Sequence, residues 1–273
     1  MFKPVNRGTL KRRLWSVPGL RSVGVRRWLW DRRNHLHACR RAIYERLGSD
    51  RHSHPALHGM DRKLAARLPH RGGFFVEAGA HDGFTQSNTY WLERFRGWTG
   101  LLVEPVPHQC RQARRRRRVP VVNCALVGEA EAGSTVSLRY GNLMTVVVGA
   151  RGGEAEERSH VGAGDLEGLD EVGYEIEVTA RTLTDVLAEN EAPRDFDLLS
   201  LDVEGYESSV LRGLDLERFH PRLMLIEMDG SERRRQEVEA VIGRDYEYVE
   251  RFSPLDLLYA RRGESAPATP DAG

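Results

Sequence analysis

A chain of 273 residues and 31.0 kDa can bury a substantial α/β core, which excludes peptide-sized and disulfide-dependent scaffolds. Hydrophobic residues make up 40% and charged residues 30%, the formal net charge is +1, and no apolar run approaches the roughly 18 residues that span a bilayer, so the composition is that of a globular rather than a disordered or membrane chain. The near-neutrality averages two unlike parts: thirteen Lys/Arg in residues 1–46 face only Asp31 and Glu45, which puts +11 there and −10 on residues 47–273.

Lysine occurs only as Lys3, Lys11 and Lys63, so 38 of the 41 basic residues are arginine, a skew that reads as codon bias and discounts every arginine cluster. Cys39, Cys110 and Cys124 are odd in number and form no C-x-x-C, which supports neither a disulfide framework nor a zinc ribbon and suits a reducing, cytoplasmic setting. Arg21, Arg26 and Arg27 interrupt the N-terminal apolar residues, so no export signal is read.

From residue 11 to 46 arginines mix with Leu14, Trp15, Val17, Leu20, Trp28 and Trp30, broken at Pro18-Gly19. The pattern predicts two short basic helices, the second over about 31–47, forming a cap on the main domain. A basic arm lying on an anionic membrane or on nucleic acid is the alternative. Residues 48–58, with His52, His54 and His58, read as a solvated linker whose histidines lack metal-site spacing. From residue 73, short continuous apolar runs alternate with helical patterns, the mark of buried parallel strands joined by crossover helices. Strands are predicted at 74–78, 100–103, 119–122, 196–201 and 223–228, and helices at 87–95, 108–117, 183–189 and 206–213. Residues 128–180 are Gly-rich and acidic, with β-like pieces at 135–140, 144–148 and 175–178, and read as an insertion. Residues 246–252 and 256–260 predict an antiparallel pair, and 261–273 a frayed tail. The five arginines 114–118 close a helix and read as a solvated face; without interleaved aromatics they make no nucleic-acid site.

The first strand ends in Glu77-Ala78-Gly79-Ala80-His81-Asp82-Gly83. Glycine turns let backbone approach a ligand closely, but His81 stands where a dinucleotide fingerprint has its second glycine and would crowd a pyrophosphate. Glu104, ending the second strand 25 residues after Gly79, lies where such folds hold ribose hydroxyls. The two together imply an adenosine-type ligand. Asp202 and Glu204 flank the end of the fourth strand before Gly205, and share a face if the strand persists that far, so that one serves as base or metal ligand. The bland alternative is that Glu204 or Glu207 favours the helix N-terminus. Glu227 adds a third acid at the same sheet edge.

These segments, with Ser87-Asn88-Thr89, Leu92-Glu93, Gly97-Trp98-Thr99-Gly100, Glu104-Pro105, Thr182 to Leu187 and Asp202-Val203-Glu204-Gly205-Tyr206-Glu207, resemble the FkbM-type methyltransferases over about residues 70–260. The resemblance implies a class I, Rossmann-like α/β fold with a seven-stranded, mostly parallel sheet whose last strand is antiparallel, plus an N-terminal helical extension. It also implies S-adenosylmethionine as cofactor and O-methylation of a hydroxyl on a sugar-containing or other secondary metabolite. Carried onto this chain, Glu77, Gly79, Ala80 and Gly83 would surround the methionine part of the cofactor, with Ser87 and Asn88 near its carboxylate. Glu104 would bind ribose, Asn123, Cys124 and Ala125 would border adenine, and Asp202 would lie by the amino group or sulfonium. Glu204 or His81 would take the acceptor's proton, and Asp202, Glu204 and Glu227 would be the ligands of any magnesium ion.

The expected organisation is a basic extension over 1–60, a cofactor-binding domain over 61–262 with its insertion at about 128–180, and a tail over 263–273. Expected partners are a small hydroxyl acceptor and, in some assemblies, a second copy of the chain, but neither a bilayer-spanning segment nor nucleic acid. A noncatalytic scaffold that tethers a partner through its basic arm is the competing reading. A nicotinamide-dependent oxidoreductase is disfavoured by His81 and by the lack of a Tyr/Lys or Cys set.

Overall fold

The computed structural model describes residues 23–150, 153–163, 173–228 and 230–263. They fall into two units, residues 23–52 and residues 53–263. The first is dominated by one continuous helix, α1 (Val23–Arg46), longer at its N-terminal end than predicted; the first predicted basic helix and residues 264–273 of the tail lie outside the described residues.

In the larger unit, residues 53–59 are not the solvated linker expected: Ser53 is buried, and His54 bonds the buried Asp61 through Nδ1 at 3.0 Å while stacking on Trp91. The chain then forms α2 (Met60–Arg67), β1 (Phe74–Ala78), α3 (Tyr90–Arg96), β2 (Thr99–Val103), α4 (Pro107–Arg116) and β3 (Val121–Val122). β3 is shorter than its apolar run because Pro120 has no N–H to give a ladder. After the central segment come β8 (Asp195–Leu201), α7 (Glu207–Arg212), β9 (His220–Glu227), α8 (Glu232–Ile242), β10 (Tyr246–Arg251) and β11 (Asp256–Arg261).

Seven strands form one sheet in the order β10-β11-β9-β8-β1-β2-β3. All pairings are parallel except those of β11, which runs antiparallel to both β9 and β10. Strand alternation divides the core between the two faces: Val76, Ala78, Leu199, Leu201, Met224 and Ile226 pack on one, and Phe75, Leu102, Leu198, Leu223 and Leu225 on the other. From β1 the chain builds outward through β2 and β3, and then returns to the opposite side of β1 with β8. That reversal opens a crevice beyond the carboxyl ends of β1 and β8, the position where open α/β sheets bind ligands.

The central segment is a small sheet of its own, ordered β4-β7-β5-β6, from β4 (Ala125–Leu126), β5 (Thr135–Arg139), β6 (Val146–Val147) and β7 (Glu175–Arg181). It is followed by α6 (Leu183–Glu189), whose N-cap Thr182 accepts from the Asp185 N–H at 3.0 Å. It also carries a helix absent from the sequence reading, α5 (Glu154–Ala163). A Cβ on Gly141 would lie 3.0 Å from Val161 Cα, so the missing side chain lets α5 settle against the turn at Asn142–Met144.

Candidate active site

The loop after β1 is held by its own strands. The N–H groups of Gly79 and Ala80 both donate to the Val103 carbonyl, at 3.0 and 3.1 Å, so this turn offers a ligand shape rather than donors. Gly79 has φ +83°, and a Cβ there would stand 1.8 Å from the Asp202 carbonyl oxygen; only glycine lets the β1 and β8 tips meet. Gly83, φ +78°, is similarly pressed on Ala113 of α4. Asp82 accepts from the N–H groups of Phe84 and Thr85 at 2.9 and 2.7 Å and pairs with Arg116. Against the upward push of burial, the hydrogen bond and charge of His81, with Arg116, hold the Asp82 carboxyl far below the usual range.

Glu77 is buried, and protein donors occupy both its oxygens: the Asn88 N–H at 2.8 Å on one, and Ser87 Oγ at 2.9 Å and Thr89 Oγ1 at 2.6 Å on the other. Ser87 Oγ in turn accepts from the Tyr90 N–H at 3.1 Å. The first helix after the loop starts at Tyr90, later than predicted, with that first amide taken by Ser87 Oγ. Arg117 closes this network and corrects the reading of the arginine run as a solvated face. Its side chain is fully buried and donates to Glu93 at 2.5 Å, Thr89 Oγ1 at 2.9 Å, Ser87 Oγ at 3.1 Å, the Gly83 carbonyl at 3.2 Å and Glu77 at 3.3 Å. Asn88 faces the other way. Its amide nitrogen reaches Ser200 Oγ at 3.1 Å, while its buried carbonyl oxygen has no protein partner.

Glu104 follows β2 almost completely buried, one oxygen accepting the His81 N–H at 2.7 Å and the other the Val106 N–H at 2.8 Å. Burial pushes its carboxyl up to about 7 despite those bonds. Asn123 donates to the carbonyls of Glu104 and Pro105, both at 2.8 Å, fixing the β2 tip, while Cys124 and Ala125 are buried beside it. Burial raises the Cys124 thiol to about 12, which suits packing rather than nucleophilic attack. His81 is left-handed, φ 47°, with Nε2 2.8 Å from Asn142 Oδ1 and Nδ1 3.6 Å from Asp82. Burial pulls its pKa down, but the Asp82 carboxylate prevails and the net direction is up.

Across the crevice, Asp202, Glu204 and Glu227 bring carboxylate oxygens within 4.8 Å of one another. β8 ends at Leu201, so the shared face does not come from strand alternation as expected. It comes from a left-handed turn, φ 56° at Glu204 and +103° at Gly205. Glu207 instead accepts the N–H groups of Gly205 and Val203 at 2.9 and 3.2 Å, the local helix-entry role foreseen for one of these acids. Surrounding protein, then the charges of Glu227 and Glu204, push the Asp202 carboxyl up; Glu227 is raised by burial and by Glu204. Asp202 is nonetheless solvent-exposed, and that accessibility tempers its rise. Glu204 accepts from His160 Nε2 on α5 at 2.7 Å. Three oxygen donors suit a hard cation in type, but magnesium needs near-ideal octahedral oxygens at about 2.0–2.1 Å. The three carboxylates supply only part of that shell, and no metal step is derived from them.

The sequence reading missed Arg117, Asn142 and His160. Nothing local marks Arg117 within its run, and the two others act on residues 61 and 44 positions away.

The sequence matches the methyltransferase FkbM domain over residues 77–256. No curated protein matches it in sequence. Among solved structures, it is similar to a methyltransferase FkbM from Methylobacillus flagellatus KT, with 12% identity and a TM-score of 0.42 over 69% of this chain and 43% of that one. The chain thus spans less than half the length of that relative. It is also similar to Aeropyrum pernix fibrillarin with natively bound S-adenosyl-L-methionine, with 16% identity and a TM-score of 0.38 over 75% and 80% of the two chains. A third is a methyltransferase from Thiobacillus denitrificans in complex with S-adenosyl-L-homocysteine, with 12% identity and a TM-score of 0.35 over 77% and 72%. No helix among the described residues is long and apolar enough to cross a membrane.

Proposed function

Because the chain belongs to the FkbM methyltransferase family, we propose that it moves a methyl group from S-adenosylmethionine to a hydroxyl of a small molecule, a sugar-containing or other secondary metabolite, in a cytoplasmic setting. The observation that carries this reading is the meeting, at one topological switch point, of the Gly79 turn and buried Glu104 with the Asp202–Glu204–Glu227 acids. In this reading residues 61–262 are the catalytic domain, 128–180 its substrate-selecting insertion, and 1–60 an appendage.

The residues suit this cofactor. Glu104 retains a lone pair on each oxygen for the two ribose hydroxyls, beyond those taken by the His81 and Val106 N–H groups. The unpartnered carbonyl oxygen of Asn88 is an acceptor, which suits the α-ammonium of the methionine part better than its carboxylate. Asp202, exposed at the crevice floor, offers negative charge toward the same ammonium or the sulfonium. Glu77 and Ser87 shape this loop from behind, and Asn123, Cys124 and Ala125 wall the adenine side.

The cofactor supplies a methyl group already activated by a positively charged sulfur, so in-line alignment of the acceptor provides much of the rate. As the acceptor oxygen bonds the methyl carbon, the C–S bond breaks with its electrons to sulfur and the hydroxyl proton must leave. Glu204 takes it. His81 Nε2 meets Asn142 and its Nδ1 is buried 3.6 Å from Asp82, out of reach of solvent, which fits that residue for holding the loop rather than for the proton. Incubation with methyl-labelled S-adenosylmethionine and a panel of sugars, phenols and amines tests the reading: label should enter hydroxyl-bearing acceptors as an ether, and transfer only to nitrogen or carbon would overturn the hydroxyl assignment.

A further inference from the structure

The insertion does more than wall an acceptor pocket, because two of its side chains reach the site. Asn142 meets His81 at 2.8 Å, and His160 on α5 meets Glu204 at 2.7 Å. The second contact bears on chemistry. Glu204 is held in a left-handed backbone conformation that costs a non-glycine residue about 1–2 kcal/mol. One of its oxygens lies within 4.8 Å of an oxygen on each of Asp202 and Glu227, so any charge those acids carry favours swinging it outward into water. An N–H donor to the carboxylate offsets that tendency. His160 Nε2 is that donor, with its side chain 12% exposed and that of Glu204 13% exposed, so solvent competes little for the bond. Val161, the next residue, is buried against the side-chain-free Gly141, which fixes the helix that carries the ring.

We propose that His160 is a positioning residue for methyl transfer: its Nε2–H holds the Glu204 carboxylate at the crevice, so that the inserted helix α5 is part of the catalytic apparatus. The proposal rests on the reading of Glu204 as the group that takes the acceptor's proton. It does not require the imidazole to touch the acceptor. Displacement of a catalytic group by about 1 Å costs on the order of 10²-fold in rate, and that sets the expected effect.

The test uses the full chain and whichever acceptor the wild type methylates. His160→Ala should lower kcat about 10²-fold, with S-adenosylhomocysteine Kd and acceptor KM changed less than about twofold. His160→Gln, whose amide N–H can take the place of Nε2–H, should recover most of the loss. His160→Ala should cost nothing further in a Glu204→Gln background, since both act through one carboxylate. A His160→Ala kcat within about threefold of wild type, a glutamine variant no better than alanine, or a loss confined to Kd or KM would each overturn the proposal. An acceptor-independent readout accompanies these: in ring-15N-histidine protein bound to S-adenosylhomocysteine, the His160 Nε2–H should resist exchange, and Glu204→Ala, which leaves no side-chain acceptor, should abolish that protection. Unchanged protection in Glu204→Ala refutes the contact. Transfer to nitrogen or carbon alone refutes the hydroxyl reading instead, and the same variants then judge His160 on that acceptor.

Discussion

Replacing Arg117 by alanine takes from Glu77 and Glu93 a guanidinium that contacts both inside the protein. The side chain is fully buried, makes five hydrogen bonds to side chains and a carbonyl of β1, the β1–α3 loop and α3, and lies over the rings of Phe75 and Tyr90. Removing one partner of a buried ion pair costs about 3–5 kcal/mol, because the carboxylates left behind remain desolvated. For a domain of this size each kcal/mol lowers Tm by about 2–4 °C, so the expected loss is about 6–20 °C. Urea unfolding followed by circular dichroism measures the free energy directly. Arg117→Lys, which keeps the charge but not the planar fork, should lose less, about 1–3 kcal/mol. Arg115→Ala is the internal control: the same run, but exposed, and expected within about 0.5 kcal/mol of wild type. If Arg117→Ala loses less than about 1 kcal/mol, or no more than Arg115→Ala, the buried network is not the support described.

Further expectations follow from the same geometry. Burial lifts Glu104 to about 7 in the free protein, while ribose hydroxyls would favour its charged form. Below that value binding must first deprotonate it, so S-adenosylhomocysteine affinity should fall about tenfold from pH 8 to pH 6, and Glu104→Gln should bind weakly with no such slope. A Kd that is flat with pH in the wild type would contradict this. Gly79→Ala should destabilise by more than about 3 kcal/mol because its Cβ would meet the Asp202 carbonyl, whereas Gly97→Ala, left-handed but in open space, should cost only about 1–2 kcal/mol; equal losses in thermal unfolding would refute the packing argument. Glu204→Gly relieves a left-handed residue but leaves the His160 Nε2–H without its acceptor, so its stability should change by no more than about 1–2 kcal/mol while methyl transfer collapses; a larger stability loss would mean that Glu204 is structural.

The strands of the main sheet were legible because burial on both faces gives them short apolar runs, as in residues 101–103 and 223–226. The polar helices were not. α5 has Val161 as a buried apolar residue amid Glu154, Glu156, Glu157 and Arg158, and α8 buries Val238 and Ile242 beneath an arginine-rich surface, so neither carries a clear apolar stripe. Of the candidate site, Gly79, Glu104, Asp202, Glu204 and Glu227 could be picked out because strand ends and loop glycines mark the ligand edge of such sheets. Arg117 was hidden by a composition bias that made its neighbours good reasons to ignore it. His160 was hidden by distance, since a lone histidine on an unrecognised helix carries no signal of the carboxylate it meets. The left-handed turn at Glu204 also lay beyond strand periodicity, which placed Asp202 and Glu204 on one face for a different reason.

A cofactor crevice between the Gly79 turn, Glu104 and Asp202 predicts S-adenosylhomocysteine binding, which calorimetric titration of the full chain measures. One molecule should bind per chain near pH 8, Glu104→Ala should weaken binding at least about tenfold, and NAD should give no heat. Folded protein that binds no S-adenosylhomocysteine, or a Glu104→Ala variant that binds it as tightly as the wild type, would contradict the account.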